Sequence, residues 1–259
     1  MPCIQVAGGL LLRLSFAPKR ALPERTALRQ AQQGSAGPRA RSYVSMTGDF
    51  PLDLASLTRE GALRARLLPQ PPALPLRPAR SDYDLNPEAR APAPRLLMPA
   101  SVLLPIVARV EPTVLFTQRS EHMRRHAGQV SFPGGGAQDG DASLVATALR
   151  ELTEETGIAA DFVSVEGFLD VYETVTGYAV LPVVGLLSEG FTLAPDANEV
   201  AHVFEVKLAF LLDPANRQEH MLEWKGGMRR VYAFEAETHY IWGATASMLV
   251  NLAQRLSAP

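Results

Sequence analysis

The pattern of hydrophobic and polar residues changes near residue 96. Before it, Leu52–Leu68 has the spacing of a short amphipathic helix that Gly61 interrupts. The next stretch, residues 69–94, is rich in proline, with Pro69, Pro71, Pro72, Pro75, Pro78, Pro87, Pro92 and Pro94. Because proline is not tolerated inside a helix or a central strand, this stretch predicts an extended linker or an arm on the domain surface.

From Leu96 onward, short apolar runs alternate with turn residues, which predicts strands with helices between them. The predicted strands are Ser101–Arg109, Thr113–Arg119, Gln129–Phe132, Val163–Tyr172, Val180–Leu187, Val203–Lys207, Met228–Phe234 and Tyr240–Trp242. The predicted helices are Asp141–Thr156, Leu208–Leu212 and Ala244–Arg255. This order predicts an α/β (α+β) fold, with a mixed sheet between covering helices.

The helix predicted at Asp141–Thr156 has an apolar stripe at helical spacing, formed by Leu144, Val145, Ala148, Leu149 and Leu152. Asp141 is the expected N-cap. Gly157 is the expected residue at which the helix ends, because glycine readily adopts the left-handed conformation found there.

The last turn of this helix is crowded with acidic residues: Glu151, Glu154 and Glu155. Each opposes the negative end of the helix dipole at a cost of ~0.3–1 kcal/mol, and only Arg150 compensates locally, by pairing with Glu154. Two interpretations follow, a solvated acidic face or a site for a divalent cation that takes oxygen ligands. The preceding Gly134–Gly136 predicts a loop whose backbone can approach a ligand closely.

The segment Arg150–Ile158, with sequence RELTEETGI, resembles the second half of the Nudix box, G-x5-E-x7-R-E-U-x-E-E-x-G-U, in which U is apolar. The first half matches at Gly136 but has Ala142 where the box has glutamate. The neighbouring Asp141 is a candidate for that role. The resemblance implies the Nudix fold and a metal-dependent hydrolase that cleaves a diphosphate linkage.

The resemblance also implies roles for the individual residues of the box. Glu151 and Glu155 are expected to bind the cation, Mg²⁺ or Mn²⁺, and Glu154 is a third candidate ligand that also forms a structural pair with Arg150. The general base that activates the attacking water is Glu155 or a carboxylate from another loop, for which Glu199 is the candidate. The alternative for Glu199 is an ordinary solvated loop acid.

The stretch upstream of the box, Thr117–Gly135, is similar to coenzyme A diphosphatases within the Nudix superfamily. The candidate substrate-binding residues in it are Arg119, Arg124, Arg125, His126, Gln129, Gly134 and Gly135. CoA carries a 3′-phosphate, and arginine donates two parallel hydrogen bonds to phosphate, although a solvated basic loop would look the same. The resemblance extends from about Leu96 to the C-terminus.

The implied reaction is hydrolysis of CoA or acyl-CoA to 3′,5′-ADP and 4′-phosphopantetheine or its acylated form. Two alternatives stay open. One is a Nudix hydrolase of another nucleoside diphosphate derivative, such as ADP-ribose or NADH. The other is a non-catalytic Nudix-like ligand sensor, which the intact acidic motif argues against.

Composition and charge narrow the class of protein. The net charge of −2 gives no indication of a nucleic-acid partner, and no apolar run reaches the ~18–20 residues of a membrane span. The single cysteine, Cys3, suits a reducing compartment. A cytoplasmic enzyme is therefore expected, and a homodimer is one assembly that stays open.

The chain divides by composition into residues 1–45, residues 46–95 with the N-terminal helix and proline-rich arm, and a hydrolase domain at 96–259. The first part contains a single acid, Glu24, and is rich in basic residues: Arg13, Lys19, Arg20, Arg25, Arg29, Arg39 and Arg41. It is expected to be a disordered extension, or to result from a start codon upstream of a true start at Met46. An organelle transit segment is the minor alternative.

Overall fold

In the computed structural model, the described residues are 54–57, 61–90, 96–123, 126–224 and 226–257. They all lie in the compact unit Ser45–Pro259. The expectations for residues 1–45 therefore fall outside the described residues.

The described strands are β1 (Arg80–Ser81), β2 (Met98–Val107), β3 (Thr113–Arg119), β4 (Val130–Ser131), β5 (Gly134–Gly136), β6 (Val163–Phe168), β7 (Tyr172–Glu173), β8 (Tyr178–Leu187), β9 (Val200–Lys207), β10 (Gln218–Trp224), β11 (Gly227–Ala236) and β12 (His239–Trp242). The described helices are α1 (Leu54–Leu57), α2 (Leu144–Thr156), α3 (Leu208–Leu212) and α4 (Ala244–Ser257), with short 3-10 turns at Pro87–Ala89, Ala160–Phe162 and Pro214–Asn216.

The first nine strands form one mixed sheet. Its main path within the described residues is β1-β7-β8-β2-β3-β4, and β5, β6 and β9 pair with β2, β8 and β3 respectively. Strands β2 and β8 run parallel along their whole length, whereas β3 is antiparallel to both β2 and β9. Strands β10, β11 and β12 form a separate antiparallel sheet.

Helices cover both faces of the mixed sheet. Successive side chains of a strand point to opposite faces, so neighbouring residues of β2 pack against different helices. On β2, Leu103 packs in the apolar cluster that contains Leu152 of α2. The next residue, Leu104, packs in the cluster that contains Leu211 of α3 and Leu249 of α4. The expected mixed sheet between helices is therefore confirmed. None of the helices described between residues 54 and 257 is long and apolar enough to cross a lipid bilayer.

Most elements predicted after residue 96 are present, with ends that shift by a few residues. The predicted strand Val163–Tyr172 is divided into β6 and β7, and β10 was not predicted from the sequence. In β10 the two faces differ only from half-buried to exposed, and the exposed positions hold Glu219, Met221 and Glu223, so apolar and charged residues are mixed on that face. Its apolar pattern is therefore weak, and its pairing with β11 makes it a strand.

The predicted helix Leu52–Leu68 is wrong over most of its length. Among the described residues, only Leu54–Leu57 is helical, and residues 61–66 form turns. Gly61 has a φ of +80°, a left-handed conformation that ends a right-handed helix. Leu63 and Leu67 are nevertheless buried in the core, which accounts for the apolar spacing.

The proline-rich arm does lie along the domain, and part of it joins the sheet. Strand β1 pairs in parallel with β7. The next residue, Asp82, accepts hydrogen bonds from the Tyr172 hydroxyl at 2.8 Å and from the Val175 backbone N–H at 2.7 Å. Asn86 is buried and bonds to the backbone of Arg230 on β11. The arm is therefore a structural part of the fold.

Leu63 lies before the proline-rich arm and is buried in the core, so truncating its side chain should destabilise the protein. We expect Leu63→Ala, at a side chain only 1% exposed, to lower the free energy of unfolding by about 2–4 kcal/mol. Leu74→Ala, in the adjoining proline-rich arm and 69% exposed, is the control and should change it by less than about 0.5 kcal/mol. Urea unfolding followed by circular dichroism measures both, and equal effects would contradict the expectation.

Candidate active site

Helix α2 carries the acidic cluster, and both of its ends are fixed locally. The Ser143 side chain accepts a hydrogen bond from the Ala146 N–H, so Ser143 is the N-cap and the prediction of Asp141 as cap is wrong. At the other end, Gly157 adopts the left-handed conformation, as expected. The apolar stripe packs into one cluster below, with Ala148 and Leu152 fully buried.

Asp141 instead holds Arg150. Its carboxylate accepts two hydrogen bonds from the Arg150 guanidinium, at 2.9 and 3.1 Å, and one from the Thr147 hydroxyl at 2.8 Å. The hydrogen bond from Arg150 holds the pKa of Asp141 well below its usual range. The same guanidinium reaches Glu151 at 2.9 Å and Glu154 at 2.8 Å, so the expected Arg150–Glu154 pair is present.

The acidic residues of α2 differ in burial. Glu155 is only 4% exposed, and its carboxylate lies against strand β3. Glu154 is 57% exposed in its side chain and turns toward Arg150. The acidic turn is therefore not a uniformly solvated face, because one of its carboxylates is enclosed by the fold.

Strand β3 supplies the groups that face Glu155. Leu115, Thr117 and Arg119 share one face of the strand because they alternate along it, and Leu115 packs in the same cluster as α2. The Thr117 hydroxyl donates to Oε2 of Glu155 at 3.2 Å. A guanidinium nitrogen of Arg119 lies 3.9 Å from Oε1 of the same carboxylate.

A β-bulge brings Glu199 to the same region. The pairing of β3 with β9 shifts its register after Gln118, so that Arg119 lies opposite Val200. The Ser120 backbone N–H then donates to the Glu199 carbonyl at 2.7 Å. The charge of Glu199 is among the causes that raise the pKa of both Glu151 and Glu155, which places this carboxylate near both.

The three glycines before α2 form strand β5 rather than the predicted loop, since they pair antiparallel with β2. A Cβ on Gly135 would lie 2.5 Å from Oε1 of Glu151, so the absence of a side chain lets that carboxylate rest against the strand. A Cβ on Gly134 would lie 2.6 Å from the Ser101 carbonyl oxygen of β2. Gly134 is therefore needed for packing, and Gly135 for the position of Glu151.

The electrostatics of the site disfavour the ionised carboxylates. The pKa of Glu155 is raised to about 7, mainly by burial and in smaller part by the charges of Glu151 and Glu199. The Thr117 hydrogen bond and the Arg119 charge act in the opposite direction. Burial also raises the pKa of Glu151, although Arg150 opposes this effect.

These residues suit a hard divalent cation. Their side chains offer carboxylate oxygens, the ligands that Mg²⁺ and Mn²⁺ prefer. Within the described ranges, no cluster of three or more histidine, cysteine, aspartate or glutamate side chains is already arranged around a common point. One oxygen of Glu151 is hydrogen-bonded to Arg150, so ligation by it needs a small side-chain movement. A cation among the carboxylates would offset the burial and repulsion that raise their pKa values.

Of the predicted substrate-binding residues, Arg119 ends β3, His126 and Gln129 precede β4, and Gly134 and Gly135 lie in β5. The Nε of Arg119 is buried and has no hydrogen-bond partner within the described part of the chain. His126 is exposed with a φ of 58°, and its Nδ1 lies 2.8 Å from Oε1 of Gln129. Residues 124 and 125, the predicted arginines Arg124 and Arg125, lie outside the described residues.

Comparisons of the sequence with known proteins agree with the resemblance of the acidic turn to the Nudix box. A sequence model of the NUDIX domain matches residues 98–225. The uncharacterized Nudix hydrolase NudL of Yersinia enterocolitica is 45% identical over 159 residues, which are 61% of this chain and 81% of that protein. NudL of Yersinia pestis is 43% identical over 158 residues, which are 61% and 79% of the two chains. The chain belongs to the Nudix hydrolase family.

Among solved structures, the MutT protein from Methanosarcina mazei Go1 is 24% identical, with a TM-score of 0.37, over 46% of this chain and 83% of that chain. Family membership makes this protein an enzyme, a Nudix hydrolase that acts on small nucleoside diphosphate derivatives. Nudix hydrolases generally use divalent metal ions, as the acidic turn of α2 indicates.

The sequence predicted the acidic residues and Arg119 as candidate site residues but gave no indication of Thr117. Thr117 belongs to the predicted strand Thr113–Arg119 and to the run Thr117–Gly135, but neither pattern assigns a role to its hydroxyl, because threonine and valine are both common in strands. Only the packing of α2 on β3 shows that its hydroxyl faces a carboxylate.

The raised pKa of Glu155 predicts a pH-dependent stability for the metal-free Nudix hydrolase. The folded protein binds a proton at Glu155 up to about pH 7, whereas the usual pKa is 4.5. The free energy of unfolding should therefore fall as the pH rises between these values, by about 3 kcal/mol at most. Thermal melts with a chelator at about pH 5 and about pH 8 measure this loss.

Two controls accompany these melts. Glu155→Gln, which has no titrating proton, should lose less stability between the two pH values than the parent. Excess Mn²⁺ should restore the parent at the higher pH, because a ligand that binds the folded state stabilises it. A parent and variant with the same pH slope would contradict the expectation.

The contact between Gly135 and Glu151 predicts a site-specific effect within one short strand. Gly135→Ala should displace the Glu151 carboxylate and lower kcat by about 10- to 100-fold, the usual range for disturbing a metal ligand's support. Gly136→Ala is the matched control, because its new Cβ would first meet the Tyr178 ring at 4.0 Å. In steady-state hydrolysis assays, kcat of Gly136→Ala should stay within about threefold of the parent value. Equal losses of kcat in both variants would refute the interpretation.

Proposed function

We propose that this Nudix hydrolase cleaves the diphosphate linkage of CoA or an acyl-CoA, with Mg²⁺ or Mn²⁺ as cofactor. The products would be 3′,5′-ADP and 4′-phosphopantetheine or its acylated form. The choice of substrate rests on the run Thr117–Gly135, which is similar to that of coenzyme A diphosphatases. A homodimer and a cytoplasmic location, expected from the sequence, stay predictions.

The observation that carries the proposal is the state of Arg119. Its guanidinium lies beside the buried Glu155 at 3.9 Å, while its buried Nε has no partner in the described ranges. A buried, unpaired donor is costly in free energy unless a ligand completes its hydrogen bonds. A diphosphate oxygen next to the carboxylate site would do so, because phosphate is the acceptor for which a guanidinium is best shaped.

The carboxylates of α2 would hold the cofactor. Glu151 and Glu155 are the proposed ligands, and Glu154 is a third candidate that would have to give up part of its bond to Arg150. A bound divalent ion would neutralise charge on the diphosphate and lower the pKa of a water molecule. Arg150, which Asp141 holds through two hydrogen bonds, orients the acidic turn.

The proton of the attacking water needs an acceptor. Glu155 and Glu199 are the candidates, because the charge of Glu199 acts on the buried carboxylate of Glu155. Glu199 belongs to the exposed loop before β9. A base on a loop can act without releasing a metal ligand, so this position favours Glu199 over Glu155.

The rest of the substrate would be held by the ends of β3 and β4. Arg119, Arg124 and Arg125 would contact phosphate groups, including the 3′-phosphate that distinguishes CoA from ADP-ribose and NADH. His126 and Gln129 lie within hydrogen-bond distance of each other, and both would donate to the ligand. Of the two glycines, Gly135 would let the substrate approach the strand near Glu151, while Gly134 has the packing role described above.

A comparison of CoA with dephospho-CoA tests the substrate. If the arginines bind the 3′-phosphate, kcat/KM for CoA should exceed that for dephospho-CoA by about tenfold or more, since a charge-assisted hydrogen bond contributes about 1.5–3 kcal/mol. Mass spectrometry of the products, with Mg²⁺ and with Mn²⁺, should show 4′-phosphopantetheine. Glu155→Gln should abolish turnover with either ion.

The outcomes separate the alternatives. Faster hydrolysis of ADP-ribose or NADH than of CoA would contradict CoA as the substrate but would not contradict the proposed metal site. Equal turnover by Glu155→Gln and the parent would overturn the catalytic assignment and support a ligand sensor.

A further inference from the structure

A hydroxyl group on β3 is buried directly behind the carboxylate cluster. Thr117 has no exposed surface, and its Oγ1 lies 3.2 Å from Oε2 of Glu155. The other acceptors within reach are the carbonyl oxygen and hydroxyl of Ser131 on β4, both at 3.5 Å. Because a threonine hydroxyl has one proton and Glu155 offers the nearest acceptor, the donated bond goes to Glu155.

Apart from Ser131, whose oxygens are farther from Thr117 than that of Glu155, the surroundings do not call for a polar side chain. Its neighbour on the same face, Leu115, is apolar and fully buried. Val203, which pairs with Thr117 from β9, is apolar and partly buried. Valine has nearly the same shape as threonine and the same preference for strands. A buried hydroxyl is costly unless it is hydrogen-bonded, so its useful contribution here is the bond to Glu155.

This bond determines how the Glu155 carboxylate is oriented. Oε2 points into the protein toward Thr117, which leaves Oε1 on the side of Arg119, 3.9 Å from its guanidinium. The charges of Glu151 and Glu199 also act on this carboxylate and raise its pKa. Without the hydroxyl, the carboxylate would lose its one close hydrogen bond to β3 and could rotate about its terminal bond.

We propose that Thr117 is a positioning residue, whose hydroxyl holds Glu155 so that one of its oxygens faces the cation. The inference rests on the proposed metal site. Thr117 itself touches neither cation nor substrate and acts through Glu155. Partners of this kind are expected to matter because the orientation of a ligand determines much of its affinity for a metal.

Thr117→Val tests this, because it removes the hydroxyl and keeps the shape. We expect the dissociation constant for Mn²⁺, measured by electron paramagnetic resonance without substrate, to rise about 10- to 100-fold. Thr117→Ser, which keeps the hydroxyl, should stay within about threefold of the parent. At saturating Mn²⁺, the kcat of Thr117→Val should recover most of its loss, as expected for a defect in ligand placement.

Thr113→Val is the matched control. Thr113 lies on the same strand and face, and its hydroxyl also donates to a glutamate, Glu205, at 2.5 Å, but this pair lies outside the site. Its Mn²⁺ affinity should equal that of the parent, even if its melting temperature falls. If Thr117→Val does not fold, the comparison of Thr117→Ala with Thr117→Ser carries the same test.

Mn²⁺ affinity that is unchanged in Thr117→Val would overturn this inference alone, and so would an equal loss in Thr113→Val. A parent that binds no Mn²⁺ would overturn the proposed metal site together with the inference. The two failures are therefore distinguishable in a single titration series.

Discussion

The site depends on the packing of α2 against the sheet. The helix ends in a turn whose carboxylates repel each other and oppose the helix dipole, at a cost of ~0.3–1 kcal/mol for each carboxylate. Burial of one leucine side chain such as Leu152 contributes about 1.5–3 kcal/mol, and this residue is fully buried. The apolar stripe therefore outweighs the repulsion and holds Glu155 against β3, where its ionisation is disfavoured.

Two polar contacts then give the acidic turn a defined shape. From the solvent side, Arg150 binds Glu151 and Glu154 and is itself held by Asp141. From the protein side, the Thr117 hydroxyl binds Glu155. The first contact keeps a guanidinium beside two of the carboxylates, and the second orients the buried one, which in the proposed site would leave its other oxygen for the cation. Such a preorganised arrangement is what a metal-dependent hydrolase needs before its substrate arrives.

Much of this could be predicted from the sequence, because it depends on local spacing. Helical periodicity located α2, a glycine marked its end, and the acidic motif identified the family. The local prediction failed where partners distant in sequence decide the outcome. Asp141 is not the N-cap of α2, because its carboxylate is hydrogen-bonded to Arg150. Residues Gly134–Gly136 form a strand, because they pair with β2. Strand β10 has a weak apolar pattern, because Met221 lies on its exposed face with two glutamates, and its pairing with β11 makes it a strand.

The sequence by itself determined the class of fold, the family and the acidic residues, since repeating patterns and a contiguous motif are properties of neighbouring residues. Tertiary structure decided which carboxylate is buried, that Glu199 lies near Glu151 and Glu155, that Arg119 has an unpaired Nε, and that a hydroxyl lies behind the site. The physical reason is that burial, hydrogen bonding and pKa depend on atoms brought together from different strands, which no local pattern records.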